Sequence, residues 1–178
     1  IVVSSAMSGV TNELIKKSIK ISDSFSESEY DVLVSSGEQV SCSLIAGRLI
    51  HQGYEARSWL SWQIPILTKG KYKNSRINQI NKRNIIKYLK KGGIPIVTGF
   101  QGLNDENRIT TIGRGGSDAS AIMIAKFFKA ERCIIYTDVE GVYTTDPNKL
   151  KNAKKIKIIS YEEMLEMASL GAKVMQPV

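Results

Sequence analysis

The stretch Gly113-Arg114-Gly115-Gly116-Ser117-Asp118 joins a β-leaning run, Arg108-Ile109-Thr110-Thr111-Ile112, to a helix-forming run over residues 119–129. Three glycines in four positions let backbone N–H groups crowd toward a ligand where a Cβ would block the approach. The helix start adds unpaired N–H groups and the positive end of a dipole. Arg114 can grip a carboxylate or phosphate with a planar fork, Ser117 can cap the helix, and Asp118 falls where a negative charge is favoured. Taken alone, the hexapeptide reads equally as an anion site or as a glycine turn with an ordinary Ser/Asp cap. Its surroundings decide between the two.

Upstream, Ile94-Pro95-Ile96-Val97-Thr98 reads as a strand running into Gly99-Phe100-Gln101-Gly102, and residues 103–112 as a hairpin-like excursion with a polar tip at 104–107. Downstream, residues 133–137 read as a buried strand that stops at Asp138 before a turn at Gly141. At the chain start, Ile1-Val2-Val3 reads as a strand that breaks at residues 4–9, and a helix opens at Val10 with Leu14, Ile15 and Ile19 on one face. Residues 22–30 read as a polar loop, 32–34 as a strand, and 35–39 as a second small-residue turn. That turn presents Glu38 at the N-terminus of a helix over 40–52, either as a ligand group or as a capping-box glutamate. Residues 56–60 read as a strand and 64–68 as an edge strand, because Pro65 donates no ladder hydrogen bond. The lysines over 69–73 then fall in a loop, and residues 78–91 read as an amphipathic helix ended by Gly92-Gly93.

Strands alternating with helices predict an α/β fold, a three-layer sandwich with a largely parallel sheet covered on both faces. Five glycine- or Ser/Thr-rich breaks fall at strand ends, over 4–11, 35–38, 99–102, 113–118 and 137–146, and in such a sheet they converge along one edge.

At 178 residues, with 42% apolar and 24% charged, the chain can bury one core, so one globular domain is expected. It opens at Ile1 inside a strand-like run, so it is expected to be a piece of a longer protein. There is no run of about 18 apolar residues and no signal-type N-terminus, so no membrane partner is expected. Cys42 and Cys133, read as buried thiols without metal-type spacing, fit a reducing cytoplasm. The excess of 25 Lys+Arg over 17 Asp+Glu gives +8, but it is spread along the chain without aromatic-basic stacking motifs, so nucleic acid is not expected either. The single histidine, His51, reads as a partner for a helix C-terminus, and Trp59 and Trp62 as core and lid packing.

Six stretches together resemble the kinase domain of the aspartate kinases, within the amino acid kinase family and its carbamate kinase-like fold. They are Ser4-Ser5-Ala6-Met7-Ser8-Gly9-Val10-Thr11-Asn12, Ser35-Ser36-Gly37-Glu38, Gly99-Phe100-Gln101-Gly102, Thr110 through Asp118, Tyr136 through Pro147, and Gly171-Ala172-Lys173-Val174. The resemblance spans nearly the whole chain. It implies ATP-dependent phosphorylation of the side-chain carboxylate of L-aspartate to 4-phospho-L-aspartate, the first step toward lysine, diaminopimelate, threonine and methionine. It implies aspartate-binding roles for Ser5, Thr11, Glu38, Arg114, Gly115, Gly116 and Ser117, and ATP contacts for Thr137, Asp138, Tyr143, Lys173 and Val174. Asp118 and Lys173 are the implied catalytic pair, Asp118 organising lysines and Lys173 meeting phosphate oxygens. No protein ligand for a metal is implied; Mg²⁺ is expected alongside ATP, and a homodimer is expected for the longer protein.

The chemistry agrees with that assignment. A carboxylate is already an anionic nucleophile at pH 7 and needs no general base, so the protein has to align it and neutralise charge on the transferring phosphoryl. Arg114 suits a bidentate grip on the substrate's carboxylate and Glu38 suits its ammonium. Two departures stand against the family pattern. Nothing upstream of Ile1 supplies the family's Lys-Phe-Gly-Gly-like strand, so the fragment is expected to be inactive by itself, and Asn148 with Lys149 stands where an arginine often follows Asp-Pro. Residues 1–178 are therefore expected to be a partial catalytic domain, with regulatory ACT domains beyond Val178. The alternatives are another amino acid kinase, against which Ser36-Gly37-Glu38 and the Arg114-to-Asp118 run argue, and a non-catalytic nucleotide-binding regulatory subunit.

Overall fold

A computed structural model describes residues 1–113, 115–137, 141–145, 150 and 152–169. Where one domain is expected from length, the chain divides into two compact units, Ile1–Cys133 and Ile134–Val178.

In the first unit β1 (Val2–Ser4), β5 (Ile94–Thr98) and β2 (Ala56–Trp59) form a parallel sheet in the order β1-β5-β2. A second sheet, in the order β4-β3-β6-β7, joins β3 (Ile66–Lys71), β4 (Asn74–Ile80), β6 (Gln101–Leu103) and β7 (Ile109–Thr111). Its β3–β6 pair is parallel and the other two pairs are antiparallel. Alternation along β5 explains the layering, because successive strand residues face opposite ways. Ile96 packs with Cys42 and Ala46 of α2 (Glu27–His51). Val97 packs on the other face with Trp59, Ile85 of α3 (Arg83–Leu89) and Ala119 and Ile124 of α4 (Gly116–Phe128). The three layers are thus α2, sheet, and α3 with α4. The α/β sandwich read from the sequence stands, with the parallel pairing concentrated in the first sheet.

Three local readings are corrected. Residues 32–39, expected as strand and turn, are the interior of the 25-residue α2, which also takes in the end of the expected 22–30 loop. The serines that look like turn formers bond back along the helix instead: Ser35 Oγ donates to Val32 O at 2.9 Å and Ser36 Oγ to Leu33 O at 2.7 Å. Gly37 is there for space, since a Cβ would lie 2.9 Å from Ala6 Cβ and 3.3 Å from Val10 Cγ1 at the start of α1 (Val10–Ile21). Secondly, Lys69–Lys73 is not a loop but the end of β3 and a tight turn, and residues 74–80 form β4, which leaves α3 only seven residues. Strand β3 is paired on both sides rather than at an edge; Pro65 precedes it and lends its carbonyl to Asn81 N–H at 3.1 Å. Thirdly, residues 133–137 form no strand, and Cys133, Ile134 and Tyr136 are exposed. A β-prone apolar run becomes a strand only beside another strand's donors and acceptors, and among the described residues no named strand forms a ladder with it.

The second unit is held locally. Tyr143 and Lys155 form an antiparallel bridge, with Ile156 N–H on Val142 O at 2.8 Å and Thr144 N–H on Lys154 O at 2.9 Å. Helix α5 (Tyr161–Ser169) opens with a reciprocal capping box between Ser160 and Glu163.

Candidate active site

The end of β1 is tied to α2 by three contacts. Ser41 Oγ donates to Ser5 O and shares a hydrogen bond with Ser4 Oγ, while Glu38 Oε1 accepts Ala6 N–H at 3.1 Å. The same β1 end reaches β5 through Gly99 N–H on Ser4 O at 2.9 Å. Beyond Gly99, Phe100 adopts a left-handed φ of 65°, its N–H held by Ser120 Oγ of α4 and its carbonyl by Ile112 N–H. Gly115 enters α4 at φ 75°, a conformation that would strain any side chain, so the glycine turn is required by the backbone itself. Contrary to expectation, Ser117 does not cap α4; it lies in the first turn and its Oγ donates to Ser5 Oγ at 3.2 Å.

These anchors surround one cavity of about 620 Å³. Among the expected site residues, Ser5, Thr11, Glu38, Gly115, Gly116, Ser117 and Asp118 all line it. Four of the five stretches expected as breaks therefore contribute a wall, through Ser5, Glu38, Phe100, and Gly113 with Gly115–Asp118, although the second of them is helix rather than a break. Thr137 and Tyr143 belong to the second unit, where Thr137 is exposed and Tyr143 forms the bridge to Lys155. Arg114, Asp138, Asn148, Lys149, Lys173 and Val174 lie outside the described residues.

Glu38 carries the strongest electrostatic signal. Its side chain is 3% exposed, Oε2 has no hydrogen-bond partner, and burial pushes the carboxyl up to about 7 against the opposing pull of Ala6 N–H. A buried carboxylate with a bare oxygen on a cavity wall is built to receive a cationic donor. Burial likewise raises the Asp118 carboxyl above its ordinary range. Several cavity residues escaped the sequence reading: Asn12, Ile15, Tyr30, Lys73 and Thr111 line it too, and beneath them Asp31 is fully buried. The missed signal was spacing, since a single helix through residues 31–38 would have put Asp31 and Glu38 on one face.

The amino acid kinase family model matches residues 1–178. The chain belongs to the amino acid kinase family. Within that family it is 51% identical to an aspartokinase of Rickettsia conorii over 180 residues, which is 99% of this chain and 45% of that protein. It is 50% identical to an aspartokinase of Geobacillus stearothermophilus, again over 99% of this chain and 44% of the relative. The chain thus spans under half the length of these relatives. Among solved family structures, E. coli aspartokinase III in complex with aspartate and ADP superposes with a TM-score of 0.82 at 31% identity, covering 94% of this chain and 38% of that one. Aspartate kinase from Synechocystis gives 0.81 at 41% identity, covering 98% and 29%.

Proposed function

We propose that the whole protein is an aspartate kinase, transferring the γ-phosphoryl group of ATP to the side-chain carboxylate of L-aspartate. The observation that carries this reading is Glu38, a buried carboxyl with Oε2 left without a hydrogen-bond partner, lining the same cavity as several hydroxyls and a glycine-rich helix entry. That combination suits a zwitterionic amino acid: the ammonium goes to Glu38, and carboxylate oxygens face Ser5, Ser117 and the N–H groups at the start of α4. Relatives named aspartokinase at about half identity, and the aspartate and ADP bound by E. coli aspartokinase III, support the same substrates here.

In this reading Glu38 and Arg114 orient the substrate from its two ends, leaving its side-chain carboxylate free to attack. No proton has to be removed, so the residues act by alignment and charge neutralisation. Asp118, at the positive end of α4, is assigned to organising the lysines that meet the phosphoryl group, with Lys173 among them. ATP brings Mg²⁺ on its phosphates, and the ion's contribution is to neutralise charge there. Thr137, Asp138, Tyr143 and Val174 are assigned to the nucleotide. The product, 4-phospho-L-aspartate, would feed lysine, diaminopimelate, threonine and methionine synthesis, and the full-length protein would be a cytoplasmic dimer with ACT domains.

Hydroxylamine trapping of the acyl phosphate tests the assignment. The full-length protein with ATP, Mg²⁺ and L-aspartate is expected to yield aspartyl hydroxamate. Turnover of glutamate or UMP without aspartate would overturn it.

A further inference from the structure

Asp31 lies on the same helix as Glu38 and is 0% exposed, yet the proposed reaction gives it no task. Its carboxylate accepts four hydrogen bonds from two chain segments distant in sequence. Lys73 N–H donates to both oxygens, at 3.1 and 3.0 Å; Thr111 N–H donates to Oδ2 at 2.8 Å and Thr111 Oγ1 to Oδ1 at 2.7 Å. Lys73 is the turn residue of the β3–β4 hairpin, at a left-handed φ of 64°, and Thr111 ends β7 just before the glycine-rich turn. The two segments also touch each other, because a Cβ on Gly113 would lie 2.7 Å from Asn74 Oδ1. Both line the cavity, through Lys73, Thr111 and Gly113, as does Glu38 of α2.

We propose that Asp31 is a positioning residue for the amino acid site: it holds the β3–β4 turn and the end of β7 at a fixed distance from α2, and so sets the spacing between Glu38 and the wall that Gly113 and Gly115–Asp118 form. The inference rests on the aspartate kinase reading. Three features favour one carboxylate over the surrounding contacts as the fastening. A carboxylate is acceptor-only with room for four donors, whereas an amide would turn an NH₂ toward one of them. The other links between these segments and α2 are side-chain contacts of small worth: the exposed pairs Lys73 Nζ to Glu27 at 3.5 Å and Arg108 to Glu29, and Lys73 Nζ over the Tyr30 ring at 4.6 Å. The donors include two backbone N–H groups, so the carboxylate fixes main chain rather than a mobile side chain.

The test is steady-state kinetics on the full-length protein carrying Asp31→Asn, Thr111→Val, or both. Aspartate turnover by the wild type is checked first; if it phosphorylates another amino acid instead, the substrate reading fails and the same comparison is run on that amino acid. Asp31→Asn is expected to raise the aspartate KM at least tenfold with the ATP KM within twofold. Thr111→Val, which keeps its N–H and loses one donor, is expected to raise it threefold or more. Because both act through one contact, the double variant should show less than the product of the two effects. An unchanged aspartate KM in Asp31→Asn, an equal rise in both KM values, or fully multiplicative effects would each overturn the proposal. Should Asp31→Asn not fold, Thr111→Val alone decides: a threefold rise supports it and a wild-type KM overturns it.

Discussion

Asp31 and Glu38 stand two turns apart on α2, at 0% and 3% exposed, and the helix treats them in opposite ways. Asp31 accepts four hydrogen bonds and has no capacity left; Glu38 accepts one from Ala6 N–H and keeps a bare oxygen. Burial raises both carboxyls, but at Asp31 the donors from Lys73 and Thr111 oppose it, and at Glu38 the rise reaches about 7. The lesson is that burial by itself does not mark function. A saturated buried carboxylate holds the fold together, and an unsaturated one on a cavity wall stores a desolvation cost that a cationic ligand group can relieve.

The sharpest way to break that contrast is to truncate both. Asp31→Ala orphans Lys73 N–H, Thr111 N–H and the Thr111 hydroxyl, and at about 1–3 kcal/mol for each donor left unpaired the loss should reach about 3–5 kcal/mol after relaxation. Glu38→Gln removes a charge whose folded state disfavours it, so stability at pH 8 should hold or rise while the aspartate KM climbs about ten- to a hundredfold, the size of a lost charge-assisted contact. Urea denaturation and aspartate kinetics on the two variants check this. Equal destabilisation would erase the distinction.

The same contrast explains what could be read in advance. The parallel strands β1 and β5 were legible because their apolar runs end in small-residue breaks, and the convergence of those breaks is a property of parallel sheets rather than of any one motif. Helix α2 was not legible, because Ser35, Ser36 and Gly37 imitate a turn locally and only packing shows otherwise: the hydroxyls fold back onto the helix, and the glycine makes room for Ala6 and Val10. The error had a cost at the site. Reading 32–34 as a strand and 35–39 as a turn separated Asp31 from Glu38 and hid the buried carboxylate, while Glu38 itself was named from its motif. Hairpin β3–β4 was missed for a similar reason, since the lysines at 69, 71 and 73 look like loop residues until pairing with β4 gives Lys69 and Lys71 a partner and Asp31 takes the Lys73 N–H.

A pH series sharpens the contrast at slightly smaller amplitude. Glu38 rises from an ordinary 4.5 to about 7 on folding, so the folded state binds the extra proton between those values. Stability is therefore highest below pH 4.5 from this group, falls as pH rises toward 7, and levels off above it, by up to about 3 kcal/mol in all. In Glu38→Gln that slope should be absent. Kinetics run the other way: below about pH 7 the protonated Glu38 no longer attracts the substrate ammonium, so the aspartate KM should rise by up to about tenfold per unit as pH falls. A wild-type aspartate KM flat between pH 5.5 and 7.5 would detach Glu38 from the ammonium.

The smallest expected effect probes the neighbour that lets Glu38 reach its place. Gly37 faces the β1–α1 turn, and an alanine there would put its Cβ 2.9 Å from Ala6 Cβ and 3.3 Å from Val10 Cγ1. Neither neighbour is the end of a flexible side chain, so the turn itself has to back away, at about 1–3 kcal/mol for overpacking a close contact. Helix propensity pulls in the opposite direction, since alanine is favoured over glycine in a helix interior by about 1 kcal/mol, and the net loss should be about 0–2 kcal/mol. Ala6 is also the residue whose N–H binds Glu38 Oε1, so moving it loosens the carboxylate on its one protein partner. Gly37→Ala should therefore raise the aspartate KM about three- to tenfold while leaving the ATP KM unchanged, an effect below that of Glu38→Gln and in the same direction. If Gly37→Ala instead stabilised the protein with native kinetics, the turn would have to be softer than its contacts with α2 indicate, and the placement of Glu38 would not depend on it.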